Sequence, residues 1–195
     1  LIRKISYADR CIRQGDWHKP MGQLLKGSVV GIIGLGKVGR RLVELLTPFH
    51  TTVIAYDSHP DYHFASRYQV EMYSLEDLLQ YADIVSIHLP YSAEVHHLLN
   101  SQRIAQMKPG AFLINTSRGG IVDEAALYDS LNNGRLAGAY IDTFEKEPYH
   151  GPLTHLANVL LTPHIGSYAK ESRIRMETEA VQNLLAVLKG GHDIE

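Results

Sequence analysis

The chain has 195 residues, 45% of them hydrophobic, enough to bury one sizeable core or at most two small ones. Nineteen Lys and Arg stand against 21 Asp and Glu for a formal charge of -2, and neither sign gathers into a long run, so nothing calls for a nucleic-acid surface. The single cysteine, Cys11, excludes an intrachain disulfide framework and a cysteine-rich metal centre, and it fits a reducing, cytoplasmic setting. No apolar run approaches the roughly 20 residues of a membrane helix. The start, Leu1-Ile2-Arg3-Lys4-Ile5, turns polar too soon for a signal peptide and lacks an initiator Met, which suggests a piece of a longer chain.

In chain order, residues 1–12 have helical character and Gly15-Asp16-Trp17-His18-Lys19-Pro20 reads as a loop, so residues 1–22 form a lead-in arm. Residues 28–33 are apolar on both faces, as a central parallel strand should be. A glycine-rich turn follows, then a helix over 37–48 with Leu42, Val43, Leu45 and Leu46 as its apolar stripe. The β-branched run 52–57 is a second strand and ends on Asp57. Ser74 can cap the next helix, 82–88 is another strand stopped by Pro90, and 101–107 is a short helix closed by Lys108-Pro109-Gly110. Strands over 111–115, 137–142 and 159–162, and helices over 123–131 and 169–188, complete the alternation. The last helix carries Ile174, Val181, Leu184 and Leu188 and should end at Gly190-Gly191. Six strands are expected, with a possible seventh near Val70-Glu71-Met72. Short apolar strands alternating with helices predict an α/β, doubly wound parallel sheet in three layers, with residues 23–168 as its body and 169–195 as an exit helix.

Gly34-Leu35-Gly36-Lys37-Val38-Gly39 follows a strand and opens a helix, the context that gives G-x-G-x-x-G its meaning. Gly34 allows the tight turn, Gly36 lets the backbone approach a pyrophosphate, and Gly39 lets the helix pack on the sheet. The N–H groups around Lys37 and Val38 then face the phosphates. Asp57 stands 18 positions after Gly39, where a carboxylate accepts both ribose hydroxyls and repels a 2′-phosphate. With Ser58 and His59 next to it and no arginine there, NAD is expected rather than NADP.

Ligands in such sheets bind beyond the carboxyl ends of the strands. There the later strands deliver Arg118, the carboxylates Asp142, Glu145 and Glu147, and His164. Oxidising an alcohol beside a carboxylate needs a guanidinium for a bidentate grip and a base for the hydroxyl proton, and a histidine titrates in the right range.

Through Gly-Ile-Ile-Gly-Leu-Gly-Lys-Val-Gly at 31–39, His-Leu-Pro at 88–90, Met-Lys-Pro-Gly at 107–110, Asn-Thr-Ser-Arg-Gly-Gly at 115–120 and Thr-Pro-His-Ile-Gly at 162–166, the chain resembles the D-isomer-specific 2-hydroxyacid dehydrogenases. That family includes phosphoglycerate, glycerate, D-lactate and formate dehydrogenases. The resemblance implies Arg118 as the substrate-carboxylate arginine, His164 as the acid/base, and Glu147 as the partner of His164. It implies Asp142 as a contact of the nicotinamide carboxamide, and Leu89, Pro90, Thr116, Ser117 and Gly166 as further cofactor contacts. It also implies a homodimer, to which Trp17 would contribute if it is not a packing anchor, and a separate substrate domain that these residues lack. The activity implied is hydride transfer between NAD(H) and a small 2-hydroxy or 2-oxo acid, of which 3-phosphoglycerate is one type. An NAD(H)-binding regulatory module of the corepressor type would carry the same residues. Two positions depart from the family pattern. Val95 stands where a threonine is usual, and Gly166-Ser167-Tyr168-Ala169 is not the commonest version.

Other polar residues have plainer readings. His88 is expected to cap a strand end without titrating in the reaction, and Glu145 to be solvated. Because Pro60 argues against a helix face, His59 and His63 are read as surface residues, as are His96 and His97, with no metal expected.

Overall fold

The first strand, β1 (Val29–Ile33), sends Ile32 and Ile33 to opposite faces of a sheet, and both are completely buried. A strand buried on both sides needs helices on both sides, and the rest of the chain supplies them. The computed structural model describes residues 1–188. The strands that follow are β2 (Thr52–Tyr56), β3 (Glu71–Met72), β4 (Ile84–Ile87), β5 (Phe112–Asn115), β6 (Gly138–Ile141) and β7 (Val159–Leu161). They form one sheet in the order β3-β2-β1-β4-β5-β6-β7, with every neighbouring pair parallel. The two-residue run at Glu71 is therefore a true seventh strand, held at the edge by Ile54 and Ala55 of β2.

The helices are α1 (Ile5–Arg13), α2 (Lys37–Leu46), α3 (Tyr62–Tyr68), α4 (Leu75–Tyr81), α5 (Ser101–Gln106), α6 (Glu124–Asn132) and α7 (Lys170–Leu188). On one face of the sheet, Leu75, Leu78 and Leu79 of α4, Ile104 of α5 and Leu127 and Leu131 of α6 pack on Ile33, Val85, Ile87, Leu113 and Ile141. On the other, Val43 and Leu46 of α2 and Ala65 of α3 pack on Val30, Ile32, Val53 and Ala55, with Leu1 and Ile2 alongside. Three layers result, as expected.

Caps explain where several helices begin. Ser74 accepts from the Asp77 amide at 3.1 Å, Asn100 from that of Arg103 at 3.0 Å, and Asp123 from Ala125 and Ala126. Asp61 caps α3 by accepting from Phe64 at 3.0 Å, and this helix corrects the reading of Pro60 as helix-excluding. Pro60 lies just outside the cap, where its missing N–H costs no helical bond, and His63 rides on the helix while His59 does not.

The chain divides into two compact units, the first running from Leu1 to Pro163 and the second starting at His164. The first holds the whole sheet and the arm, tied in by Arg10, which donates to the Ala157 carbonyl at 2.9 Å. Trp17 in that arm is 80% exposed, so it is not a packing anchor within the chain. The second unit contains α7, where Arg173 and Glu177, four residues apart, pair at 3.0 Å. The expected stop at Gly190-Gly191 lies outside the described residues.

Candidate functional site

Strand order reverses between β1 and β4, and the turns leaving their carboxyl ends define a crevice. Gly34 has φ +96°, and a Cβ there would sit 2.7 Å from the His88 carbonyl oxygen and 2.8 Å from Leu89 Cδ2. Only glycine lets these two turns close on each other. A Cβ on Gly39 would collide with the Gly34 carbonyl, so α2 crosses the turn at backbone contact. Gly36 differs, with open space where its Cβ would be. Gly36 is the N-cap of α2, and exposed Lys37 and Val38 form its first turn. The backbone there is accessible and lies at the positive end of a helix, which suits an anionic group.

Asp57 lies just past the end of β2. Its Oδ2 accepts from the Leu35 amide at 2.6 Å and its Oδ1 from the His59 amide at 2.8 Å. The carboxylate is thereby fixed against the glycine turn. Arg40 of α2 donates to the Leu35 carbonyl at 2.9 Å and to Asp61 at 2.8 Å, and its guanidinium covers the Phe64 ring at 5.1 Å. An arginine thus does come close to the loop of Asp57, with its Nε and Nη1 engaged. The open backbone at Gly36, the helix start and the anchored acid fit the pyrophosphate and ribose of NAD.

On the β4 side, His88 Nε2 lies 2.9 Å from Ser86 Oγ, and its amide donates to the Ile33 carbonyl at 2.8 Å. Burial pushes this imidazole below its ordinary pKa, so it is held neutral. Leu89 is half-buried, Pro90 is exposed, and Val95 packs against the core in a short 3-10 turn.

The loop after β5 is built by Asn115, which is 2% exposed. Its Oδ1 accepts from the Ser117 amide at 3.1 Å and hydroxyl at 2.7 Å, while its Nδ2 donates to the Arg118 carbonyl at 3.0 Å. One buried amide therefore shapes the turn that presents Arg118. Arg118 itself is exposed, and its Nη1 donates to the Ser117 carbonyl at 2.7 Å. Thr116 and Ser117 are half-buried beside it. A Cβ on Gly119 would overlap the Phe144 carbonyl, so the β5 and β6 loops meet backbone to backbone.

At the end of β6, Asp142 is 1% exposed and accepts from the Thr162 hydroxyl at 2.5 Å, and that hydroxyl lies 3.0 Å from Tyr140 Oη. Glu147 accepts from the Phe144 amide at 3.1 Å, and its bond to Pro148 is cis. It borders a cavity of about 520 Å³ lined also by Phe144, Tyr149, Leu161 and Thr162. The Phe144 and Tyr149 rings stack there at 4.4 Å. In the second unit, His164 is exposed and has φ +54°, a conformation uncommon for a residue with a Cβ, and Gly166 is exposed.

One reading of a surface residue needs correction. His97 is half-buried, with its Nε2 2.7 Å from Glu145 Oε1, while Glu145 is exposed, as expected. His97 also stacks on His96 at 3.9 Å. Forty-eight positions separate His97 from Glu145, and no local pattern announces such a pair.

A parallel sheet with a glycine turn, an anchored acid and a switch-point crevice defines a dinucleotide-binding domain of the Rossmann type. The model of the D-isomer specific 2-hydroxyacid dehydrogenase NAD-binding domain matches residues 1–166, and the chain belongs to this family. Glyoxylate reductase from Thermofilum pendens is 43% identical over 97% of this chain and 59% of its own length. D-3-phosphoglycerate dehydrogenase from Mycobacterium tuberculosis is 36% identical, over 96% of this chain and 36% of its own. A solved structure of D-lactate dehydrogenase from Aquifex aeolicus, complexed with NAD and lactic acid, superposes with a TM-score of 0.89 at 29% identity. That match covers 98% of this chain and 63% of the solved one. The chain thus spans about 59% of the length of the glyoxylate reductase it resembles. Among the described residues, no helix is long and apolar enough to cross a membrane.

Proposed function

We propose that the protein carrying this chain is an NAD-dependent oxidoreductase that interconverts a small 2-hydroxy acid and its 2-oxo acid. The observation that carries this reading is the exposed Arg118 on a turn held by buried Asn115, in a chain belonging to a 2-hydroxyacid dehydrogenase family. Bound NAD supplies the hydride acceptor, or NADH the donor.

The protein's own residues then have three tasks. Arg118 grips the substrate carboxylate and so orients the carbon that is oxidised or reduced. His164 takes the hydroxyl proton in the oxidising direction and returns it in the reducing one. Glu147 is the hydrogen-bonding partner that orients His164. Gly34, Gly36, Lys37, Val38, Gly39 and Asp57 hold the pyrophosphate and ribose. Leu89, Pro90, Thr116, Ser117, Asp142 and Gly166 line the nicotinamide side. Residues 1–22 serve as the arm, 23–168 as the cofactor domain and 169–195 as a connection toward a substrate domain. A cytoplasmic homodimer using exposed Trp17 is the assembly we favour.

The test is a panel of short 2-oxo acids, glyoxylate, hydroxypyruvate and pyruvate, with NADH and the full polypeptide. Turnover is expected for at least one. His164→Ala should abolish it while NADH affinity, read by fluorescence titration, stays nearly unchanged. Turnover retained in that variant would overturn the role of His164, and tight NADH binding with no turnover of any acid would favour a regulatory module.

A further inference from the structure

We infer that His97 is a positioning residue, one that ties the loops carrying Arg118 and Glu147 to each other and so sets the grip on the substrate carboxylate. The inference rests on the dehydrogenase reading above.

Three strand-end loops meet at His97. Its backbone amide donates to the Gly120 carbonyl at 2.7 Å, two residues beyond Arg118. Its ring Nε2 lies 2.7 Å from Glu145 Oε1. An ionised carboxylate only accepts, so Nε2 carries the proton and donates. The Glu145 amide in turn donates to Glu124 Oε1 at 2.8 Å, and the adjacent Phe144 amide donates to Glu147. A single residue after β4 thus holds the β5 loop through its backbone and the β6 loop through its side chain.

Two features separate this arrangement from an ordinary surface ion pair, which usually contributes little. First, His97 has φ +47°, a backbone region that residues with a Cβ avoid unless their surroundings impose it. Second, the Arg118 loop is enclosed on both sides. A Cβ on Gly119 would run into the Phe144 carbonyl, and one on Gly120 would come 3.0 Å from the Tyr91 ring and 3.4 Å from His96 Nδ1. Burial pushes the Glu124 carboxyl up, with the Glu145 amide opposing, so the far end of the network is also drawn out of water. His97 commits its amide and its Nε2 to protein and serves through Arg118 and Glu147.

The experiment compares wild type, His97→Ala and His97→Gln in the full polypeptide, each with and without Arg118→Ala. Gln can place an amide donor near the position of Nε2. With the 2-oxo acid that wild type reduces best, His97→Ala should raise KM by about tenfold, the scale of one hydrogen bond to a charged group. NADH affinity should move by less than about twofold, and His97→Gln should recover most of the loss. In the Arg118→Ala background, His97→Ala should change KM by less than about twofold, because the grip it positions is already gone. Equal effects in the two backgrounds, or an unchanged KM, would overturn the inference. Amide exchange over residues 116–121 gives a readout that needs no substrate. It should quicken in His97→Ala and return in His97→Gln, and unaltered exchange would also defeat the proposal. If wild type reduces no 2-oxo acid, the dehydrogenase reading fails, and exchange alone then decides whether His97 holds the loops.

Discussion

The carboxylate of Asp57 accepts a 2.6 Å hydrogen bond from the amide of Leu35, so the acid that ends β2 and the glycine turn that follows β1 hold one position together. Under the proposed function, this one bond links the ribose end of the crevice to its phosphate end. The carboxylate is oriented before any nucleotide arrives, which lowers the ordering cost of binding.

Replacing this acid should weaken NADH more than NADPH. Asp57→Ala removes an acceptor for the ribose diol and also a charge that repels a 2′-phosphate, so NADH affinity should fall roughly 10- to 100-fold, the range for a hydrogen bond to a charged group. NADPH affinity should hold or rise, although Arg40 remains engaged by Asp61 at 2.8 Å. Fluorescence titrations with both nucleotides provide the check, and an unchanged ratio of affinities would count against the assigned role of Asp57.

His88 should make stability depend on pH in a defined direction. Burial holds its pKa below the value of about 6.5 expected in the unfolded chain. On acidification the unfolded chain therefore takes up the proton first, so the folded state is favoured above about pH 6.5 and loses that advantage as pH falls below it. Urea unfolding without nucleotide at pH 7.5 and pH 5.5 should show a lower midpoint at pH 5.5, and His88→Asn should flatten the difference. The carboxylates held low, Asp61, Glu76 and Asp83, titrate below this window and should not mask it. An equal loss in wild type and His88→Asn would assign the effect elsewhere.

Gly119→Ala should disturb Arg118 without touching it. The added methyl would overlap the Phe144 carbonyl, and backbone on both sides leaves no flexible side chain to yield. A cost of about 1–3 kcal/mol is expected from such overpacking, read as a lower thermal midpoint. By contrast, Gly110→Ala, where open space surrounds the Cβ position, should cost only the strain of its φ of +81°. Similar losses in the two variants would mean that the Gly119 contact relaxes freely.

Six strands of the sheet were legible from residues 28–162 because each is a short apolar run bracketed by turn residues, and such runs need no long-range information to be recognised, whereas β3, only Glu71 and Met72, carries little such signal. The glycine turn and Asp57 were legible for a related reason, since their chemistry depends on order along the chain. The α3 helix was less so. Seven residues with one buried alanine carry almost no periodic signal, and the helix exists because Asp61 caps it and β2 and β3 need a crossover.

By itself the sequence determined the fold class and the glycine turn of an NAD-binding domain, because strand period and glycine spacing are local quantities. Only the tertiary structure decided that Leu35 steadies Asp57, that Arg40 is already engaged near the adenosine end, and that His97 reaches Glu145 across 48 positions. These are contacts between different strand-end loops. They depend on how a parallel sheet gathers distant segments at one edge, and no spacing within any single segment encodes that distance.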